Sequence, residues 1–167
     1  NATTNQFVLA SAVTGQYVGD GAADAGDGRY RLIIERQTGV PLWAALRVQD
    51  VQTDRTWMLV ERTILLSIPV MTQDGSRIVY VAHDMRTGDQ LFVTGTAEGS
   101  TPIQITWMDS HTTRSEPVWS PDGTWIAFIN TLGVGNQLYI IRPDGSGLRQ
   151  LTFDRGQYAQ PAWMPSP

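Results

Sequence analysis

The stretch EPVWSPDGTWIAF, residues Glu116–Phe128, decides the fold of this chain. It holds a short apolar strand that ends at Trp119, the tetrapeptide Ser120–Gly123, and a second apolar strand. Proline presets φ at the second position of a type I turn, aspartate is tolerated at the next position, and glycine suits the last. The stretch therefore predicts two antiparallel strands joined by a tight turn.

The same pattern recurs along the chain. A copy that begins at Pro69 matches the copy that begins at Pro117, 48 residues later. A degenerate copy contains Asp27, and a further copy begins at Pro161. Self-similarity at this period is typical of repeat folds, and each complete copy reads as four short strands. The predicted strands are 20–25, 29–36, 41–49 and 56–61; 69–72, 76–82, 89–95 and 102–107; and 117–120, 124–130, 136–142 and 148–153.

The pattern PxWSPDGxxIAF, followed by LYIxxxDGSxxxxLT, resembles the repeat of the TolB-like β-propeller family. The resemblance implies an all-β propeller of four-stranded antiparallel blades, with about three and a half blades in this chain. A β-sandwich also places strands at short intervals, but the matched turn positions favour the propeller. We expect one partial propeller domain over 1–167. Its predicted parts are blades at 20–61, 69–107 and 117–153 and closing strands at 6–19 and 161–165.

Three and a half blades would leave two apolar blade flanks open. The N-terminal strands could join 161–167 in a composite blade, two chains could combine into one ring, or the chain could be part of a longer protein or larger assembly. The chain stops where another SPDG-like turn is due, at Met164–Pro167. We therefore expect an oligomer or part of a larger assembly, through self-association or a protein partner.

Composition excludes several kinds of chemistry. The 167 residues include no cysteine, which excludes disulfides, thiolate nucleophiles and cysteine-ligated zinc. All 12 basic residues are arginine, so Schiff-base chemistry and a phosphate-loop lysine are excluded too. With a net charge of −4 we expect no nucleic-acid partner. No apolar run approaches the roughly 18 residues of a membrane span, so we expect no transmembrane segment.

Catalytic and metal sites find little support in the residues. The two histidines, His83 and His111, are not accompanied by a G-x-S-x-G elbow, so we predict no catalytic residues and no cofactor. A glycine-rich loop offers the carboxylates of Asp20, Asp24 and Asp27 as a weak calcium candidate, but it lacks the spacing of a calcium loop. Aspartates also recur at equivalent turns, which predicts a turn-forming role. These aspartates are Asp27, Asp74, Asp122 and Asp144.

The loops that join the second strand to the third, and the fourth strand to the next copy, are more varied than the tight turns. In a four-stranded blade these two kinds of loop lie on the same face, around the mouth of the channel. Varied loops on a rigid scaffold are where binding residues concentrate. The candidate partner-binding residues are His83, Asp84, Arg86, Asp109, His111, Arg114, Asp154, Arg155 and Tyr158.

The leading hypothesis is a non-catalytic protein-binding or scaffolding module. The family resemblance implies protein partners and a periplasmic or extracellular setting. One alternative is the propeller part of a larger enzyme, because propellers of this kind resemble those of prolyl-oligopeptidase-type serine hydrolases. Another is a structural subunit of an extracellular assembly, in which neighbouring copies cover the open flanks.

Overall fold

The computed structural model describes residues 7–9, 22–24, 28–36, 43–108, 113–133 and 135–164. All regular secondary structure in these ranges is β-strand, and they contain no helix with the length and apolarity needed to cross a membrane. The strands are β1 (Phe7–Leu9), β2 (Ala22–Asp24), β3 (Tyr30–Arg36), β4 (Trp43–Asp50), β5 (Arg55–Leu65), β6 (Val70–Met71), β7 (Arg77–Asp84), β8 (Gly88–Gly95), β9 (Ile103–Gln104), β10 (Thr113–Trp119), β11 (Ile126–Leu132), β12 (Gly135–Ile141), β13 (Arg149–Gln150) and β14 (Pro161–Trp163).

The strands form antiparallel units of four, which we call blade 1 (β2–β5), blade 2 (β6–β9) and blade 3 (β10–β13). In blade 3 the order is β10-β11-β12-β13, so strands that follow each other in the chain pair with each other. β14 pairs with β1, with Phe7 opposite Trp163. The first strands of successive blades, β6, β10 and β14, lie next to one another, as the inner strands of a propeller do.

Blades 1 and 2 are joined more closely than the sequence predicted. β5 was expected to end near residue 61, but it continues to Leu65, where it leaves the outer edge of blade 1 and pairs with β7. Ile64 lies opposite both Trp43 and His83. The two blades therefore share one eight-stranded sheet, and β5 replaces the loop that was expected between them.

The apolar core lies between the blades, because each strand presents alternate residues to its two neighbours. On β7, Ile78 and Tyr80 pack against blade 1, whereas Val79 and Val81 pack against blade 3. A third cluster lies between blade 3 and β14 and includes Ile129. Burying each such side chain is worth about 1.5–3 kcal/mol. The blades are thus held together mainly by these three clusters.

The tryptophans at the ends of the inner strands take part in this packing. The Trp119 indole is buried between blades 2 and 3, and its Nε1 donates to the Val70 carbonyl at 2.9 Å. Trp163 occupies the equivalent place one blade on, and its Nε1 lies 3.3 Å from the Val118 carbonyl oxygen. Each indole thus joins its own inner strand to that of the preceding blade.

The flank of blade 1 that faces away from blade 2 differs from the other flanks. Blades 2 and 3 present a stacked aromatic pair to the preceding blade, Tyr80 on Phe92 and Phe128 on Tyr139, each with ring centroids 5.6 Å apart. The corresponding cross-strand pair in blade 1 is Ile33 and Arg47. Arg47 Nε donates to the Glu35 carboxylate at 3.0 Å on the same flank. This flank is therefore polar where the others are apolar.

Candidate partner-binding face

The turns between first and second strands use their aspartates to hold the backbone. Asp74 Oδ1 accepts hydrogen bonds from Thr72 Oγ1 at 2.6 Å and from the Ser76 amide at 3.0 Å. These donors stabilise the carboxylate and lower the pKa of Asp74 to about 2. Asp122 accepts the same set from the equivalent positions of the next turn. The predicted turn-forming role is confirmed for both.

The other two aspartates for which a turn role was predicted are Asp144 and Asp27. Asp144 lies in the turn between the third and fourth strands of blade 3, so its turn is not equivalent to those of Asp74 and Asp122. It accepts a hydrogen bond from the Ser146 amide at 2.9 Å, and hydrogen bonds from Ser146 lower the pKa of its carboxyl group. Asp27 lies outside the described residues. The turn face therefore uses these described aspartates to shape the backbone, which leaves the opposite face as the candidate for binding.

The opposite face, which we call the channel-mouth face, carries the loops between second and third strands and those that lead to the next blade. Asp84 Oδ1 accepts from the Arg86 amide at 2.8 Å and from the Thr87 amide at 2.9 Å, and these bonds lower the pKa of Asp84. The Asp84 carboxylate is thus turned into its own loop, while the Arg86 side chain is exposed.

The loop after β13 has a similar arrangement. Asp154 accepts from the Gly156 amide and from the Tyr158 hydroxyl, both at 2.8 Å. The hydrogen bond from the Gly156 amide, followed by that from the Tyr158 hydroxyl, lowers the pKa of Asp154. The hydrogen bond to the Asp154 carboxylate in turn raises the pKa of Tyr158. Arg155 is exposed. In both loops the carboxylate accepts hydrogen bonds from its own loop, and an exposed arginine lies beside it.

His83, Asp89 and Arg114 meet where blades 2 and 3 adjoin. His83 Nδ1 lies 2.7 Å from Asp89 Oδ1, across the β7–β8 ladder. Arg114 Nη1 donates to the Asp89 carbonyl oxygen at 2.6 Å. Arg114 was expected in a loop, but β10 begins at Thr113, and only 2% of Arg114 is exposed. Its described contact joins two blades, a structural role that the polar sequence around it did not reveal.

A repeated glutamine–threonine pair fixes the base of this face. Thr106 Oγ1 donates to Gln90 Oε1 at 2.7 Å, and Gln90 Nε2 donates to the carbonyls of Thr87 and Met108. In blade 3, Thr152 Oγ1 donates to Gln137 Oε1 at 2.8 Å, and Gln137 Nε2 donates to the Asp154 carbonyl. Sequence reasoning missed this pair, although Gln-Leu and Thr recur at matching positions in both copies.

Large apolar side chains remain exposed beside these pairs. Trp107 follows Thr106 and is 73% exposed, and Phe153 follows Thr152 and is 80% exposed. Met85, in the loop that Gln90 links to Met108, is also 80% exposed. Trp107 and Phe153 thus hold the same position in successive blades.

The inner strands border a cavity of about 570 Å³. Leu66 and Ile68 line it from blade 2, Glu116 and Pro117 from blade 3, and Gln160 from the segment before β14. Glu116 and Gln160 both have positive φ, at 55° and 50°, and each precedes a proline. The Gln160 amide donates to the Glu116 carboxylate. Backbone in this region costs about 1–3 kcal/mol and is concentrated at functional sites.

The structure thus describes most of the predicted binding residues but not all of them. His83, Asp84, Arg86, Asp154, Arg155 and Tyr158 lie on the channel-mouth face. Asp109 and His111 lie outside the described residues, as do Asp20, Asp27 and the side chain of Asp24 from the calcium candidate. Among the described residues no serine hydroxyl hydrogen-bonds to His83, and no group of three potential metal ligands occurs.

Comparison with known proteins places this geometry in a class. No protein-family model matches the chain. It is 30% identical over 108 residues to the uncharacterized peptidase YuxL of Bacillus subtilis, covering 62% of this chain and 16% of that protein. It is 33% identical over 96 residues to the Tol-Pal system protein TolB of Pasteurella multocida, covering 57% and 20%. The chain thus spans at most about a fifth of these relatives.

Solved structures agree on the fold. TolB from Acinetobacter baumannii superposes with a TM-score of 0.66 at 18% identity, over 87% of this chain and 35% of that one. An oligogalacturonate lyase in complex with manganese gives 0.63 at 18% identity, over 92% and 44%. A prolyl endopeptidase gives 0.60 at 17% identity, over 78% and 21%. These likenesses and the blade order define the chain as an all-β, partial β-propeller. Its sequence and fold are similar to those of TolB proteins, so the predicted resemblance is confirmed.

Proposed function

We propose that this propeller is a non-catalytic protein-binding module that uses the channel-mouth face. The observation that carries the proposal is the repeated exposure of Trp107 and Phe153 on that face. Aromatic residues are enriched at protein interfaces and dominate their binding energy. Exposing two of them at the same position in successive blades is costly unless a partner covers them.

The rigidity of the face supports the same proposal. The Gln90–Thr106 and Gln137–Thr152 pairs fix the backbone from which both aromatic side chains extend. A preformed surface loses little conformational entropy on binding, which favours recognition. Relatives named as Tol-Pal system proteins support a protein partner and a periplasmic or extracellular setting for this chain.

A photo-crosslinking experiment tests the proposal. Trp107 is replaced by benzoylphenylalanine in the cells that make the protein, and Ile103, which is 62% exposed in β9, is replaced in a matched control. We expect a specific protein adduct from position 107 and none from position 103. Equal adducts from both positions would contradict the assigned face. Turnover of a substrate by the purified chain without a partner would contradict the non-catalytic role.

A second candidate has a specific observation in its favour. One relative is named as a peptidase, and a prolyl endopeptidase shares the fold. The propeller would then be one domain of a larger hydrolase. Reading the coding sequence beyond Pro167 decides between them, because this candidate requires a hydrolase domain with a serine elbow. A third candidate, a structural subunit of an extracellular assembly, predicts large particles in light scattering.

A further inference from the structure

We propose that the channel-mouth face recognises an acidic polypeptide segment that carries apolar side chains. The inference rests on the proposed protein-binding function and adds the chemistry of the partner. It is carried by five exposed side chains, which we call the rim residues. They are Met85, Arg86, Trp107, Phe153 and Arg155.

The charge of the rim residues follows from the hydrogen bonds around them. The carboxylates of Asp84 and Asp154 accept hydrogen bonds from amides of their own loops, so part of their capacity to accept is used within the protein, although Asp154 is exposed. The Asp89 carboxylate lies against His83. Three of the described acids on this face are thus hydrogen-bonded to groups of the protein itself. Beside the exposed apolar groups, the guanidinium donors of Arg86 and Arg155 make no hydrogen bond to any described residue, whereas the carboxylates of the same loops do.

Neither arginine forms a contact ion pair within the described part of the chain, although the charge of Arg86 acts on Asp84 from a longer distance. No described carboxylate forms an ion pair with Arg86 or Arg155, whereas Arg47 and Arg55 elsewhere pair with Glu35 and Glu98 at 3.0 Å. A guanidinium offers a planar set of donors that matches a carboxylate. Because the chain as a whole carries a net charge of −4, these cations mark a local preference rather than a general basicity.

The apolar and cationic groups lie within the same loops. Met85 and Arg86 are neighbours in the loop after β7, and Gln90 holds that loop against the segment that carries Trp107. Phe153 and Arg155 flank Asp154 in the loop after β13. Blades 2 and 3 therefore each present an apolar group beside an arginine. A segment that combines glutamate or aspartate with apolar side chains complements both pairs, and arginine with aromatic residues is the composition of interface hot spots.

Two labelled peptides test the inference on the full chain. One alternates glutamate and phenylalanine, and the other has lysine in place of every glutamate. Fluorescence anisotropy is expected to show binding of the acidic peptide, weaker binding at higher salt, and tenfold or greater preference over the basic peptide. Equal binding of both peptides, or no binding of the acidic one, would overturn the inference.

Paired variants locate the effect. We expect Arg86→Glu with Arg155→Glu, and separately Trp107→Ser with Phe153→Ser, to weaken acidic-peptide binding about tenfold or more. Controls at the opposite end of the blades, Arg149→Glu and Ile103→Ser, are expected to leave it unchanged. Equal losses in controls and rim variants would place binding elsewhere and overturn the inference. Circular dichroism establishes that each variant is folded.

Two outcomes separate this inference from the function on which it rests. If position 107 crosslinks to a protein through a basic or uncharged segment, the binding module stands and the acidic partner is wrong. If the chain binds phosphatidylglycerol vesicles through the rim residues but does not bind the acidic peptide, the anionic partner is a membrane and the inference is overturned.

Discussion

At the scale of single residues, short polar side chains decide where the backbone turns and where it is held. Asp74 and Asp122 each gather a hydroxyl and an amide from within their own turn, and the Gln90–Thr106 pair joins strand to loop. Because these hydrogen bonds favour the charged form of each carboxylate, the contribution of the carboxylates to the stability of the fold depends on pH.

The lowered pKa of Asp74 predicts the direction in which the stability of the protein changes with pH. A carboxylate whose folded pKa is lowered stabilises the protein above its unfolded pKa, and that stability is lost as pH falls through the folded pKa. With a folded pKa of about 2 against the ordinary value of 3.8, the loss falls between about pH 5 and about pH 2. We expect the melting temperature to fall over this range, and the Asp74→Asn variant to fall less steeply. Identical slopes in both proteins would contradict this role.

The repeated glutamine–threonine pair gives a second prediction. Thr152→Val keeps the shape of the side chain but leaves the Gln137 carbonyl without its donor and the Leu138 amide without its acceptor. Each unsatisfied buried group costs about 1–3 kcal/mol, so we expect a loss of that order in urea unfolding. Thr56→Val, at an exposed position of β5 where the hydroxyl makes no hydrogen bond to a described residue, is the matched control and should lose less. A loss no larger than that of the control would refute the proposed role of the pair.

At the scale of elements, the hairpin between β10 and β11 depends on one glycine. Gly123 has φ of +66°, and a Cβ there would lie 2.8 Å from Arg77 Nη2, which donates to the Gly123 carbonyl. We expect Gly123→Ala to destabilise the fold by about 1–2 kcal/mol for the backbone, and more for the displaced arginine. Gly99→Ala is the control for the backbone cost alone, because Gly99 has a φ of +81° and no atom lies within 4 Å of an added Cβ. Equal losses would exclude a contribution from Arg77.

The elements also show which parts of the fold can be predicted from sequence. The turns were predictable because proline, aspartate and glycine report local geometry, and the repeat was predictable because equivalent turns recur. The continuation of β5 to Leu65 could not be predicted in this way. Pro69 and the turn after it indicate where the next blade begins, but they do not show that β5 changes its pairing partner at Ile64. β10 was placed too late because residues 113–116 are polar, and strand periodicity carries no signal in an inner strand that borders a cavity.

The candidate face was predictable only in part. Loop variability identified His83, Arg86 and Arg155, which the structure places on one face. Burial of Arg114 and exposure of Trp107 and Phe153 depend on packing between blades, which a single sequence does not report. The exposed aromatic residues could have been found from their matching positions after Thr106 and Thr152.

At the scale of the whole molecule, the blades are held by apolar clusters on every described junction, but blade 1 presents Arg31, Glu35 and Arg47 on its far flank. A blade packed there by apolar contact would bury the Arg47–Glu35 pair without a compensating core. We therefore expect Arg31→Cys to react with a maleimide at nearly the rate of an unfolded peptide, and Val79→Cys to be protected. Protection of both would show that this flank is covered.

The central claim is that the channel-mouth face binds a protein partner through its repeated aromatic residues. The measurement that tests it most directly is the affinity of two double variants for the partner identified by crosslinking. One variant combines Trp107→Ser with Phe153→Ser, and the control combines Ile103→Ser with Leu148→Ser. The account predicts a loss of tenfold or more for the first pair and little change for the second, since few interface residues carry most of the binding energy. Equal affinities for the two double variants would contradict it.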